Sequence, residues 1–73
     1  MISYADGTEA RLRDRVDYHG EPSVVEAIID TVEQRTEWGL TDRGLMFKNA
    51  AFGYVFESIE SSSWGGIVFT GRS

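Results

Sequence analysis

The segment from residue 30 to residue 42 contains the side chains whose types and spacing best fit a chemical role. Four carboxylates lie around a single tryptophan, Trp38, within this segment: Asp30, Glu33, Glu37 and Asp42. A large aromatic side chain among charged groups is frequent at protein interfaces, where the ring is desolvated and the charges recognise a complementary partner. These five residues are therefore predicted to form a protein-binding surface. In the alternative interpretation, Trp38 belongs to the core and the carboxylates only keep a loop soluble.

Three arginines near the start of the chain offer a different chemistry. Arg11, Arg13 and Arg15 alternate along the sequence, so a continuous strand would project them from one face as a basic stripe for nucleic acid. A turn predicted at Arg13-Asp14 interrupts that strand, and neighbouring carboxylates weaken its positive field. Local ion pairing is therefore favoured for these arginines, and nucleic acid is not the expected partner.

Residue types that carry catalysis are scarce. The chain has no cysteine and one histidine, His19, whereas metal catalysis needs several ligands that converge on one ion. The sequence has no Gly-x-Ser-x-Gly motif and no phosphate-binding glycine loop. His19 precedes Gly20 in a predicted turn, and a general base would need an orienting partner there. We therefore predict no enzymatic activity, no cofactor and no metal site.

Charge is distributed unevenly along the 73 residues. Twelve acidic and seven basic residues give a net charge of −5. Residues 1–37 hold nine of the acids and four arginines, which accounts for the whole negative balance. A basic protein is the simplest partner for such a surface, although the charge could serve solubility alone. The size indicates a single domain over residues 1–73. No apolar run long enough to span a membrane occurs, so no membrane partner and a cytoplasmic location are expected.

Glycine and Asx residues divide the first third of the chain into short segments, which is typical of β proteins. Asp6-Gly7 predicts a hairpin that joins Ile2–Tyr4 to Thr8–Leu12. A second strand is predicted at Arg15–Tyr18, and a turn at His19–Pro22.

Residues 23–32 fit two structures. Ser23 and Glu26 have the spacing of a helix capping box, the apolar positions make a helical stripe, and Gly39 could end a helix. Most of the apolar residues are β-branched, which favours a pleated sheet. A strand is the preferred prediction, and a helix at about 23–37 in an α+β fold is the alternative.

The second half of the chain predicts three further strands. Leu45–Lys48 and Tyr54–Ile59 flank a hairpin connection, and Ile67–Thr70 follows a Ser- and Gly-rich loop. Five or six short antiparallel strands in so few residues favour a mainly β fold, a small SH3-like barrel or roll.

Several sequence segments resemble known families. Tyr4–Ala10, Asp14–Val16 and Gly20–Val25 resemble the opening of small bacterial SH3-like barrels with a KOW or Tudor layout, although Arg13 and Ser23 replace two glycines of that pattern. Glu37–Leu40, Arg43–Met46 and Ala51–Phe56 are similar to segments of small bacterial toxin-immunity proteins. The resemblance implies a partner-binding role and no catalytic residue.

Three functional expectations follow. The first is a non-enzymatic protein-binding domain, an acidic immunity-like inhibitor of a toxin or another basic protein. The alternative is a KOW- or Tudor-like module that binds nucleic acid or a ribonucleoprotein through Arg11, Arg13 and Arg15. A further alternative is a structural subunit that forms homo-oligomers through an uncovered strand edge.

Overall fold

The computed structural model describes residues 1–72 and shows one antiparallel sheet with a short helix. The elements in chain order are β1 (Arg15–Tyr18), β2 (Glu21–Ile29), α1 (Val32–Trp38), β3 (Gly44–Asn49), β4 (Gly53–Ser58), a 3-10 turn (Trp64–Gly66) and β5 (Ile67–Gly71). The prediction of a mainly β fold with five or six short antiparallel strands is confirmed, and the number of strands is five.

The strands are ordered β4-β3-β2-β1-β5 across the sheet, and all neighbours are antiparallel. Strands β4 and β5 are therefore the two edges. The predicted N-terminal hairpin forms only one isolated bridge, Ser3 with Glu9, and the amide of Gly7 donates to the carbonyl of Tyr4 in its turn.

Strand β2 resolves the ambiguity of residues 23–32. The strand prediction is confirmed, because β2 runs through Ile29 and pairs with both β1 and β3. Ser23 is buried in β2 instead of capping a helix, so the predicted capping box is misplaced. The helix begins only at Val32, since β-branched side chains between two strands gain more from sheet packing than from helical stacking. Gly39 ends this helix in the left-handed conformation, as predicted.

The turn between β1 and β2 is shorter than predicted. His19 and Gly20 both have positive φ, 50° and 95°, and form a two-residue connection between the paired residues Tyr18 and Glu21. This backbone is the left-handed turn that hairpins of this length favour. Pro22 is already part of β2, paired with Asp17 of β1. The pairing of β2 with β3 begins only at Val24, so the missing N–H of Pro22 removes no hydrogen bond to β3.

The core lies on one face of the sheet and is closed by the N-terminal segment. Its buried apolar members are Ile2, Tyr4, Ala10, Val16, Val25, Leu45, Phe47 and Ile67. Tyr4 stacks on Phe69 with ring centroids 5.4 Å apart. The N-terminal segment therefore provides apolar surface that the sheet alone lacks.

Two buried carboxylates join distant parts of the chain. The hydroxyl of Tyr4 donates to Asp14 Oδ2 at 2.7 Å, and Arg72 Nη1 lies 3.4 Å from Asp14 Oδ1. Burial, together with this hydrogen bond and the charge of Asp14, raises the pKa of Tyr4 well above its usual value. Asp14 thus connects the N-terminal segment, β1 and the end of β5.

Glu57 forms the second buried junction. Its two carboxylate oxygens accept hydrogen bonds of 2.7 Å from the hydroxyls of Tyr18 and Ser63. Burial opposes ionisation of Glu57, but hydrogen bonds from Ser61, Ser63 and Tyr18 outweigh it and hold the pKa below its usual value. Burial and the Glu57 hydrogen bond raise the pKa of Tyr18 to about 12. Glu57 thereby fixes the loop before β5 to the sheet.

Candidate protein-binding site

A groove of about 590 Å³ lies between β2 and α1. Its lining combines apolar and acidic side chains: Leu12, Glu26, Ala27, Ile28, Asp30, Thr31, Gln34, Glu37 and Trp38. Three of the five residues predicted as a binding surface, Asp30, Glu37 and Trp38, meet in this groove.

Helix α1 is stabilised mainly at its ends, since none of its residues is buried. The Thr31 hydroxyl accepts from the amide of Gln34 at 3.2 Å, and Gln34 Oε1 accepts from the amides of Thr31 and Asp30, both at 2.9 Å. This reciprocal capping satisfies the first free donors of the helix. At the other end, the Gly39 amide donates to the carbonyls of Arg35 and Thr36. Local hydrogen bonds thus stabilise both ends of α1.

Trp38 is the last residue of α1 and is 46% exposed. The alternative in which it belongs to the core is therefore wrong. The other tryptophan, Trp64, is half-buried, packs against the core and donates from Nε1 to the carbonyl of Ser3 at 3.3 Å. The two tryptophans have different roles, one in packing and one on the groove.

Asp30 is occupied by structural contacts. Its carboxylate pairs with the α-amino group of Met1 at 2.8 Å and with Arg43 Nε at 2.5 Å. Hydrogen bonds from the amino group and then from Arg43 lower the pKa of Asp30. Its charge is partly neutralised, so Asp30 shapes the groove and contributes less negative potential than the sequence indicates.

Glu26 is a groove residue that sequence reasoning missed. It lies where the β2–β3 register shifts between Val25 and Ala27. A bulge of this kind leaves one residue without a direct cross-strand partner and redirects its side chain. Glu26 is exposed and lines the groove beside Glu37. Neither carboxylate has an ion-pair partner among residues 1–72, so both can recognise an external cation.

Leu12 completes the apolar part of the groove and was also missed. It lies in the turn before β1 and is 59% exposed. The amide of the next residue, Arg13, donates to the carbonyl of Val25 at 2.9 Å and holds this turn against β2. Because that contact joins residues distant in sequence, no local pattern indicated it.

Glu33 and Asp42 lie outside the groove. Glu33 is in the first turn of α1, where a carboxylate is favourable for the helix dipole. Asp42 lines a separate cavity of about 170 Å³ together with Arg35 and Arg43. The structure therefore divides the predicted acidic surface into two parts.

The three arginines do not share one strand. Arg13 has a φ of 69°, and the amide of Asp14 donates to the carbonyl of Arg11, so the predicted turn at Arg13-Asp14 is confirmed. Arg11 lies 3.9 Å from Glu9, and Arg15 donates from Nη2 to the carbonyl of Arg72 at 3.2 Å. The continuous stripe that phosphate binding would use is not formed.

No family model, curated protein or solved structure matches this chain. No helix that the structure describes within residues 1–72 has the length and apolar character needed to cross a membrane.

Proposed function

We propose that this protein is a non-enzymatic binding domain whose groove between β2 and α1 binds a basic segment of a protein partner. The observation that carries this proposal is the position of Trp38. Trp38 is half-exposed at the end of a helix that has no buried residue, and it lines the same groove as Glu26 and Glu37, which have no ion-pair partner among residues 1–72.

The chemistry of the groove fits an arginine- or lysine-bearing partner that also offers apolar surface. Trp38 and Leu12 supply area that a partner would desolvate, and Trp38 can stack on a cationic group. Glu26 and Glu37 supply acceptors for its hydrogen-bond donors. Truncation of an aromatic residue at the centre of an interface costs about 2 kcal/mol or more of binding free energy.

Within this class, an immunity-like inhibitor of a basic toxin in the cytoplasm is the specific proposal. The support is the net charge of −5, all of which arises in the half of the chain that builds the groove. A field of one sign accelerates association with an oppositely charged partner and weakens as salt rises. The association rate constant should therefore fall with ionic strength while the dissociation rate constant changes little.

The test compares two carboxylates of the same helix. Wild type, Glu37→Gln and Glu33→Gln are titrated against the product of the gene immediately upstream, with affinity measured by calorimetry. Both variants lose one negative charge, but only Glu37 lines the groove. We expect Glu37→Gln to weaken binding about tenfold and Glu33→Gln less than about twofold.

Equal effects of the two substitutions would show that net charge, and not the groove, determines binding. Absence of binding to that product would reject the inhibitor proposal. Filter binding with single- and double-stranded nucleic acid at low salt should give no retention, and retention would favour the nucleic-acid alternative.

A further inference from the structure

Strand β4 is an edge of the sheet that lacks the usual protection. Among residues 1–72, β3 is the only strand that pairs with it, and its register continues without a shift over six residue pairs. Its outer face is aromatic: Tyr54 is 61% exposed, and Phe52 in the preceding turn is 63% exposed. Edge strands are normally protected by charges, proline, bulges or covering segments.

The other edge, β5, has such protection. Its register with β1 shifts between Arg15 and Val16, which is a bulge. The N-terminal segment also lies beside it, since Tyr4 stacks on Phe69 and lines a small cavity together with β5. The two edges therefore differ in their availability for a further strand.

The hydrogen-bond pattern shows which groups of β4 are free. The amide of Ile59 donates to the carbonyl of Arg43 at 3.0 Å, immediately beyond the paired residues Gly44 and Ser58. In an antiparallel ladder, residue pairs that exchange main-chain hydrogen bonds alternate with pairs that do not. The main-chain groups of Val55 and Glu57 therefore face β3, and those of Tyr54 and Phe56 point away from the sheet.

Charge indicates which partner fits this edge. Residues 44–58 contain only Lys48 and Glu57 as charged residues, and Glu57 is buried in its hydrogen bonds. The Lys48 ammonium lies 5.6 Å from the ring centroid of Tyr54. Two copies of a chain with net charge −5 repel each other elsewhere, but at this hairpin no acidic side chain opposes their approach. A basic partner would gain little there.

We propose that β4 pairs with β4 of a second copy of this chain, in an antiparallel arrangement about a two-fold axis at Val55. In that register Tyr54 of each copy lies opposite Phe56 of the other. Both residues present free main-chain groups to the edge, so each pair exchanges hydrogen bonds. Their rings lie on the same outer face and form reciprocal aromatic cross-strand pairs.

The experiment measures the mass by sedimentation or light scattering across a range of concentrations, together with amide exchange by NMR. The wild type should change from monomer to dimer as concentration rises. The amides of Tyr54 and Phe56 should become protected only in the dimer. The amides of Val55 and Glu57 should be protected in both states, because they bond to β3.

Tyr54→Lys replaces, in each copy, the aromatic ring that lies opposite Phe56 of the other copy with a charged side chain, and should weaken dimerisation about tenfold or more. Val68→Lys is the matched control on the other edge, where Val68 is 54% exposed, and it should dimerise as the wild type does. Circular dichroism checks that both variants fold. The proposal would be overturned if the wild type stayed monomeric at every concentration or if Tyr54→Lys dimerised as the wild type does. It would also be overturned if amide exchange at Tyr54 and Phe56 did not change with concentration.

Discussion

The sheet and the helix α1 are stabilised in different ways, and the difference separates folding from binding. The sheet buries Phe47, Leu45 and Val25 completely. Helix α1 buries none of its seven residues and depends on its two caps. In so small a domain nearly all apolar residues are needed for the core. The exposed tryptophan on α1 is therefore the residue most readily explained by a partner.

The largest change in the free energy of unfolding should come from a substitution in the core. Phe47→Ala removes a fully buried ring that touches Tyr18, with ring centroids 5.3 Å apart. We expect a loss of about 3–5 kcal/mol in the free energy of unfolding, measured by urea denaturation. A loss below about 1 kcal/mol would show that the sheet is not stabilised by this core.

An intermediate effect is expected at the buried carboxylate of Glu57. Glu57→Gln leaves one of the two hydroxyl donors, from Tyr18 or Ser63, without its carboxylate acceptor and should cost about 1–3 kcal/mol at neutral pH. Because the pKa of Glu57 is lowered in the folded state, its charged form adds stability above the unfolded pKa, and this is lost as pH falls through the folded pKa.

The measurement for Glu57 is the free energy of unfolding of wild type and Glu57→Gln at several pH values. The difference between them should be largest at neutral pH and should shrink in acid. A difference that stays constant down to low pH would mean that ionisation of Glu57 is unrelated to stability.

A smaller effect is expected from the cap of α1. Thr31→Ala removes the hydroxyl that accepts from the Gln34 amide and should cost about 1 kcal/mol. Thr31→Ser retains that acceptor and serves as the control. Because this cap orders the first turn of α1, whose residues Thr31 and Gln34 line the groove, Thr31→Ala should also weaken partner binding, whereas Thr31→Ser should not. If Thr31→Ala and Thr31→Ser had the same free energy of unfolding and the same affinity for the partner, the Thr31 cap would contribute to neither.

The smallest effect on stability should come from Trp38. Trp38→Ala should change the free energy of unfolding by less than about 1 kcal/mol, since the side chain is nearly half exposed and outside the core. Trp64→Ala should cost more, because that ring packs against the core and bonds to Ser3. If both variants lost the same free energy of unfolding in thermal or urea denaturation, the two tryptophans would not differ in their contribution to packing.

The strands could be predicted from sequence because their signals are local. Alternating apolar residues and glycine turns indicated β1, β3, β4 and β5, and β-branched residues indicated β2. The helix was predicted only as an alternative at about 23–37, and that alternative began too early, because Ser23 and Glu26 have the capping-box spacing that Thr31 and Gln34 use in the structure. The SH3-like assignment and the immunity resemblance stay predictions.

The candidate site could be predicted only in part. Trp38 and Glu37 were indicated by composition. Glu26 was missed because its exposure follows from a register shift against β3, and Leu12 was missed because a contact between Arg13 and Val25 positions it. Asp30 is held by Arg43, which is thirteen residues away. Long-range contacts of this kind leave no local pattern.

The most direct test of the central claim is a map of amide chemical shifts as the basic partner is added to the wild-type protein. We expect the largest changes at Glu26, Glu37, Trp38 and Leu12, while Phe47 and Val25 in the core change little. Changes centred on Arg11 and Arg15, or spread evenly over the acidic surface, would contradict the assignment of the groove as the binding site.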